Sequence, residues 1–91
     1  MNLSAKVTIP SQVMAREVGD ETVILDLASG TYYGLDPVGA RIWQLMAEGR
    51  PLEQVCAAML DEFDVSRAAL EQDLDRLVTE LAEKGLISLS S

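Results

Sequence analysis

The stretch SGTYYGLDPVGARIW, residues 29–43, begins with the pattern of a strand and ends with the pattern of a helix. Gly30 supplies the backbone freedom that a short turn between strands needs, and residues 31–35 then read as a strand. Asp36 and Pro37 predict a helix start, because Asp can cap free N–H groups and Pro suits the first helical position. The change of period therefore predicts a strand that leads directly into a helix.

Two further strands are predicted before this junction. A glycine–aspartate turn separates residues 13–18 from residues 22–27, which are rich in β-branched and aliphatic side chains. The second run places its odd-numbered residues on one face and its even-numbered residues on the other. Residues 7–9 predict a brief extra strand. The pattern indicates an antiparallel meander over residues 13–35, in which the last strand, 31–35, is an edge.

After the junction, apolar residues recur at helical spacing and predict three helices, over residues 37–48, 51–63 and 66–84. Gly85 ends the last helix, and residues 86–89 predict a short final strand. The three apolar stripes consist of Val38, Ile42, Trp43, Leu45 and Met46; Leu52, Val55, Cys56, Met59, Leu60 and Phe63; and Leu70, Leu74, Leu77, Val78 and Leu81.

The order of the elements predicts the fold class. Strands grouped before helices are typical of an α+β domain, and the chain is long enough for one domain only, residues 1–91. Two short helices and a longer one beside a small sheet favour a winged helix-turn-helix. We therefore predict a three-stranded antiparallel N-terminal sheet followed by three helices.

The composition excludes several classes of protein. Fifteen acidic side chains against seven basic ones give a net charge of −8, which repels duplex nucleic acid. With no histidine and a single cysteine, the chain has neither the usual zinc ligands nor an intramolecular disulfide. No apolar run approaches the ~20 residues of a membrane span, and the first residues lack a signal-peptide pattern. We expect a cytoplasmic protein with no metal, no cofactor and no membrane partner.

No group of residues predicts catalysis, so we do not expect an enzyme. Cys56 lies on the apolar stripe of the second helix, and in the absence of a histidine base we interpret it as a core residue. Asp64 and Ser66 are a poor match to the Asp-Ser pair of acyl carrier proteins. The position of Ser66 at the start of a helix explains that residue as an N-cap.

The alternative function is a winged-helix transcriptional regulator that binds DNA. Its recognition helix would be residues 66–84, which carry five acidic and three basic side chains. A DNA-reading helix needs several Arg, Lys, Asn or Gln side chains near its start. This helix offers Arg67 and Gln72 there, so the sequence favours a function without nucleic acid.

The edge strand suggests a different ligand. Tyr32 and Tyr33 point to opposite faces of the strand, so that one faces the core. Proteins usually protect a free edge with Lys or Pro, and residues 31–35 contain neither. An unprotected edge beside a long amphipathic helix is typical of proteins that bind a peptide as an added strand.

The run from residue 13 to residue 46 resembles the PqqD-like family, the RiPP recognition element of ribosomally made and modified peptides. The similarity rests on the hairpin LDLASGTYYGLD, on Gly39, on the pair Ile42 and Trp43, and on the later FDVS. It extends over roughly residues 7–89. The junction LDPVGARIW is most similar to the stand-alone domains of lasso-peptide clusters, which deliver a leader peptide to a separate leader peptidase.

This resemblance implies a non-catalytic adaptor. Family members bind the leader segment of a precursor peptide as a strand added to the third strand and lying against the third helix. The partners would be that leader peptide and a leader peptidase or other maturation enzyme. The implied leader-binding residues are Thr31, Tyr32, Tyr33, Gly34 and Leu35 on the strand, and Asp73, Arg76, Leu77 and Glu80 at helix positions expected to be exposed.

Overall fold

A computed structural model describes residues 2–90 and has an α+β fold with three helices and antiparallel sheets. The elements in chain order are β1 (Lys6–Thr8), β2 (Val13–Val18), β3 (Glu21–Asp26), β4 (Tyr32–Leu35), α1 (Pro37–Ala47), α2 (Leu52–Glu62), α3 (Arg67–Glu83) and β5 (Ser88–Ser90). Each predicted helix is present, with ends that differ by at most one residue from the prediction. None of these helices is long and apolar enough to cross a bilayer, as far as residues 2–90 are concerned.

The predicted three-stranded meander is confirmed, with β3 between β2 and β4. β4 is therefore an edge strand. It begins at Tyr32, one residue later than predicted. Thr31 belongs to the preceding turn, where its N–H donates to the Ser29 hydroxyl at 3.2 Å. Gly30 adopts a positive φ of 77° in this turn, a backbone conformation that glycine adopts without strain.

The short strands at the two ends of the chain form a second sheet. β1 and β5 pair in antiparallel register, with Val7 opposite Leu89. The sequence predicted both strands, with boundaries shifted by one or two residues, but it gave no sign that they pair. The predicted final strand included Leu86 and Ile87, which are instead buried residues that precede β5. They continue the core beyond the end of α3.

The helices begin where the capping residues predict. The Asp36 carboxylate accepts a hydrogen bond from the Gly39 N–H at 2.7 Å, and the Ser66 hydroxyl accepts one from the Ala69 N–H at 3.2 Å. Pro51 lies just before α2 instead of opening it, because its extended backbone forms an isolated bridge with Lys6 of β1.

The apolar stripe of α1 packs against the inner face of the three-stranded sheet, and α2 packs against both α1 and α3, so that the three stripes form one core with the sheet. Trp43 and Cys56 are both buried in it, as predicted, and burial raises the pKa of the Cys56 thiol. Val38 contradicts the prediction: it was placed on the core stripe of α1, but its side chain is 36% exposed. It lies in the first turn of the helix, where α1 lines a groove.

Candidate functional site

The free edge of β4 offers backbone groups at alternate residues. The Asp26 N–H donates to the Thr31 carbonyl at 2.8 Å, which sets the phase of the hydrogen-bond ladder between β3 and β4. In an antiparallel pair the bonded residues alternate with the unbonded ones. Tyr33, opposite Ile24, is therefore bonded to β3. Tyr32 and Gly34 point their N–H and C=O groups away from the sheet.

A groove of about 130 Å³ separates β4 from α3. Its base includes Leu77, which was predicted to be exposed but is only 9% exposed. This correction places Leu77 in the floor of the groove and not on its rim. The lining residues are Tyr33, Gly34, Leu35, Asp36, Val38, Gly39, Ile42, Asp73, Arg76 and Leu77.

Tyr33 connects the edge strand to the helix across this groove. Its hydroxyl donates a hydrogen bond to the Glu80 carboxylate, and the Lys84 ammonium lies 5.9 Å from the centre of its ring. The hydrogen bond to Glu80, together with burial, raises the pKa of the Tyr33 phenol, because the phenolate would lose this bond and face a negative charge. The contact links β4 to α3 across the groove.

The rim of the groove is polar while its floor is apolar. Asp73 and Arg76 form an exposed ion pair with 3.7 Å between Oδ1 and a guanidinium nitrogen. Asp36, whose carboxylate caps α1, adds a second acidic group at the same end. An apolar floor with a few polar groups at the rim is typical of sites that hold a peptide side chain and fix its orientation.

Gly39 explains why the strand can pass so closely to the helix start. A Cβ atom at this position would lie 3.3 Å from both the Asp36 carboxylate and the Leu35 side chain. These distances are tighter than ordinary van der Waals contact. The glycine therefore lets α1 pack directly against the end of β4, and this packing shapes one wall of the groove.

The nine residues that the sequence singled out do not all share the groove. Six of them line it, and Glu80 reaches it through Tyr33. Thr31 lies in the turn, and Tyr32 is 73% exposed on the opposite face of the sheet. Sequence reasoning missed Asp36, Val38, Gly39 and Ile42 as groove residues. The sequence signal that could have identified them as groove residues is their position at the junction between the edge strand and α1.

The described part of the chain, residues 2–90, has no cluster of three or more His, Cys, Asp or Glu side chains that could hold a metal ion. The groove itself offers free backbone donors and acceptors along one side, an apolar floor and a charged rim, which are groups suited to recognition of a peptide.

Comparison with known proteins agrees with this geometry. Residues 21–87 match the family described as coenzyme PQQ synthesis protein D (PqqD). The structure of TbiB1 in complex with the TbiA(beta) leader peptide is similar, with a TM-score of 0.80 and 41% identity over 88% of this chain and 93% of that one. Lasso peptide synthetase B1 complexed with the leader peptide has a TM-score of 0.81 and 28% identity over 91% and 98%. No curated protein sequence matches significantly.

The family match spans most of the chain, and a structural relative above 40% identity covers nearly all of it. Both solved relatives contain a leader peptide. The resemblance that the hairpin and the strand–helix junction indicated is thereby confirmed, and the chain belongs to the PqqD family.

Proposed function

We propose that this chain is a non-catalytic adaptor. It binds the leader segment of a ribosomally made precursor peptide and presents that peptide to a maturation enzyme, such as a separate leader peptidase. The observation that carries the proposal is the free edge of β4 beside a groove, in a chain whose solved relatives contain leader peptides. Chemistry on the precursor takes place in the enzyme partner.

The leader binds by β-strand addition. Its backbone pairs with the outward N–H and C=O groups of Tyr32 and Gly34, and alternate leader side chains point to opposite faces of the extended sheet. One set enters the groove above Leu77 and meets the charges on its rim. The residues that we assign to this site are Thr31, Tyr32, Tyr33, Gly34, Leu35, Asp73, Arg76, Leu77 and Glu80.

We also propose that residues 1–91 act as one recognition domain of the winged helix-turn-helix type, which works in the cytoplasm where ribosomes make the precursor. The helix that would read DNA in such a fold is α3. Its initial cation, Arg67, lies 3.7 Å from the Glu71 carboxylate, so its charge is already partly neutralised. The geometry of α3 thus supports peptide binding over the DNA-binding alternative.

The direct test is a titration of the chain with the synthetic leader peptide of the precursor gene nearest its own. We expect saturable binding in the micromolar range, about −8 kcal/mol, and amide shifts centred on residues 31–35 and α3. A scrambled leader of equal composition is the matched control. Equal binding of the scrambled peptide, or shifts centred elsewhere, would contradict the proposal. Salt-sensitive binding of a DNA duplex instead would favour the regulator.

A further inference from the structure

The outer face of the three-stranded sheet, which points away from the helices, is mainly apolar along β3 and β4. The central strand β3 buries Ile24 and Asp26 on its inner side, and it turns Val23, Leu25 and Leu27 outward. The side chain of Leu27 is 62% exposed. The strand thus buries an aspartate while three aliphatic residues face out. One-sided antiparallel sheets ordinarily carry polar residues on the solvent side.

The pairing register joins these residues into a continuous surface. Leu25 lies between Met14 of β2 and Tyr32 of β4, so one apolar row crosses all three strands. In the next row Val23 lies between Arg16 of β2, whose charged side chain is exposed, and Gly34 of β4, whose lack of a side chain leaves that end of the row flat. We call Met14, Val23, Leu25, Leu27 and Tyr32 the outer face. Leu27 and Tyr32 are exposed, and the other three are half-buried. Contiguous apolar patches that reach the surface mark interaction sites.

The outer face is continuous with the edge to which we assign the leader peptide. A strand added to β4 extends the same sheet, and every second side chain of that strand then joins the outer face beside Tyr32. The surface is consequently larger, and different in composition, when the leader is bound. A partner that contacts both parts distinguishes the loaded chain from the empty one.

We propose that the outer face docks the maturation enzyme that acts on the bound precursor, an inference that rests on the proposed function. The enzyme contacts Leu25, Tyr32 and the outward side chains of the leader together. Its own surface is apolar with basic residues at one margin, because the chain has a net charge of −8 and the acidic Asp20 and Glu21 outnumber Arg16 at the β2–β3 end of the outer face. Recruitment of the enzyme therefore depends on the leader.

Charge argues against the other occupants of this face. Two copies of a chain with a net charge of −8 repel one another, which opposes a symmetric dimer through the same patch. An anionic membrane surface is repelled for the same reason. A protein with basic residues at its margin is attracted by the same negative charge that repels a second copy of the chain or an anionic membrane.

The test compares leader binding with enzyme recruitment in one set of variants. Val23→Thr combined with Leu25→Thr makes the outer face polar and keeps residues that favour strands. Leu27→Gln, at the most exposed of the three positions, does the same with little effect on folding. The matched controls are Val65→Thr and Leu89→Gln, which change exposed apolar residues outside the three-stranded sheet. The probes are the synthetic leader and the purified protease encoded in the same gene cluster.

We expect the outer-face variants to bind the leader within twofold of the wild-type affinity and to bind the protease at least tenfold more weakly. The controls should match the wild type in both. Equal protease binding by all variants, or by the wild type with and without leader, would overturn the docking proposal and leave leader binding intact. Failure of the wild type to bind leader would refute both proposals. A wild-type dimer that the outer-face variants dissociate would identify a second copy as the occupant and overturn this inference.

Discussion

The two edges of the three-stranded sheet are chemically different, although both present unpaired backbone groups. The β2 edge carries the exposed, charged side chains of Arg16 and Glu17, which discourage pairing with another strand. The β4 edge carries Tyr33 and Leu35, which turn inward against the core, and no charged residue. α1 contacts β4, and Glu80 of α3 bonds to it.

This difference indicates what converts a sheet edge into a binding site. Backbone pairing supplies affinity to any extended peptide, and specificity comes from pockets that accept alternate side chains. The β4 edge has such a pocket in the groove toward α3, whose rim carries Asp73 and Arg76. We infer that the protein protects one edge by charge and keeps the other open for a selected ligand.

The largest effect is expected from proline at an outward backbone donor of the β4 edge, and the same change on the β2 edge serves as its control. Gly34→Pro removes an N–H that β3 does not use, so the sheet keeps its own hydrogen bonds while the added strand loses one and meets the proline ring. We expect leader affinity to fall at least 100-fold, about 2.7 kcal/mol, in a fluorescence anisotropy titration.

Two matched variants isolate that effect. Gly34→Ala keeps the N–H, and an added Cβ at this position has no atom within 4 Å, so its leader affinity should stay within about threefold of the wild type. Ala15→Pro makes the same change on the β2 edge, where Ala15 lies opposite Ile24 and its N–H points outward. Loss of leader binding in Ala15→Pro would mean that the leader binds at the β2 edge, which would contradict the proposed site on β4.

The turns that join the two edge strands to β3 should also differ in their contribution to stability. The buried Asp26 carboxylate accepts hydrogen bonds from the Ala28 N–H at 2.9 Å and the Ser29 N–H at 3.4 Å, and so fixes the turn into β4. Asp26→Ala leaves these donors without their acceptor. We expect the free energy of unfolding, measured by urea denaturation, to fall by about 2 kcal/mol.

The corresponding position in the other turn provides the control. Asp20→Ala, in the exposed turn between β2 and β3, should change the free energy of unfolding by less than about 0.5 kcal/mol. Asp26→Asn, which keeps an acceptor oxygen, should be intermediate between Asp26→Ala and the wild type. Equal losses for Asp20→Ala and Asp26→Ala would show that the turn into β4 has no special role.

The helices were predictable because their signals are local. Regular apolar spacing and the caps Asp36 and Ser66 fixed each start to within a residue, and Gly85 fixed the end of α3. The edge position of β4 followed from the order of the strands. The pairing of β1 with β5 was not predictable, since it joins the two ends of the chain and short strands carry no signature of their partner.

The errors within the site have a common physical cause. Periodicity identifies which residues share a helix face, but it does not reveal which neighbouring element covers each end of that face. Val38 was assigned to the core stripe of α1 and faces the groove. Leu77 belongs to the apolar stripe of α3 but was also expected to be an exposed leader-binding position, and it forms the floor of the groove. Only the packing of α1 and α3 around β4 separates them.

Val38 provides the next test, because its side chain lines the groove and does not belong to the buried core. Val38→Asp adds a third acidic group at the end of the groove that holds Asp36 and Asp73. It also makes the apolar wall polar. We expect leader affinity to fall about tenfold, or 1.4 kcal/mol, by the same titration.

Val65→Asp is the matched control for Val38→Asp. Val65 is similarly exposed and lies between α2 and α3, away from the groove, so the same change of charge should leave leader affinity unaltered. Thermal unfolding of both variants reports any loss of fold. An equal loss of affinity in the two variants would mean that net charge, and not the groove, controls binding of the leader.

The smallest effect is expected at the hydrogen bond between Tyr33 and Glu80. Among the contacts that residues 2–90 make, the β2 edge has no equivalent of this bond. The raised pKa of the Tyr33 phenol means that the fold favours the neutral tyrosine. The resulting stabilisation is fully present below the ordinary tyrosine pKa and is lost as pH rises through the higher pKa of the folded state. Glu80→Ala removes both the acceptor and the negative charge.

A Tyr32→Phe background leaves Tyr33 as the only tyrosine, so the absorbance of phenolate at 295 nm reports its titration alone. We expect Glu80→Ala to move this titration to lower pH, toward the ordinary tyrosine pKa, and to cost less than about 1 kcal/mol of stability at neutral pH. An unchanged titration would mean that burial alone raises the pKa. In that case β4 and α3 would be held at their separation by the apolar contacts of the core, and the groove would keep its width without the hydrogen bond.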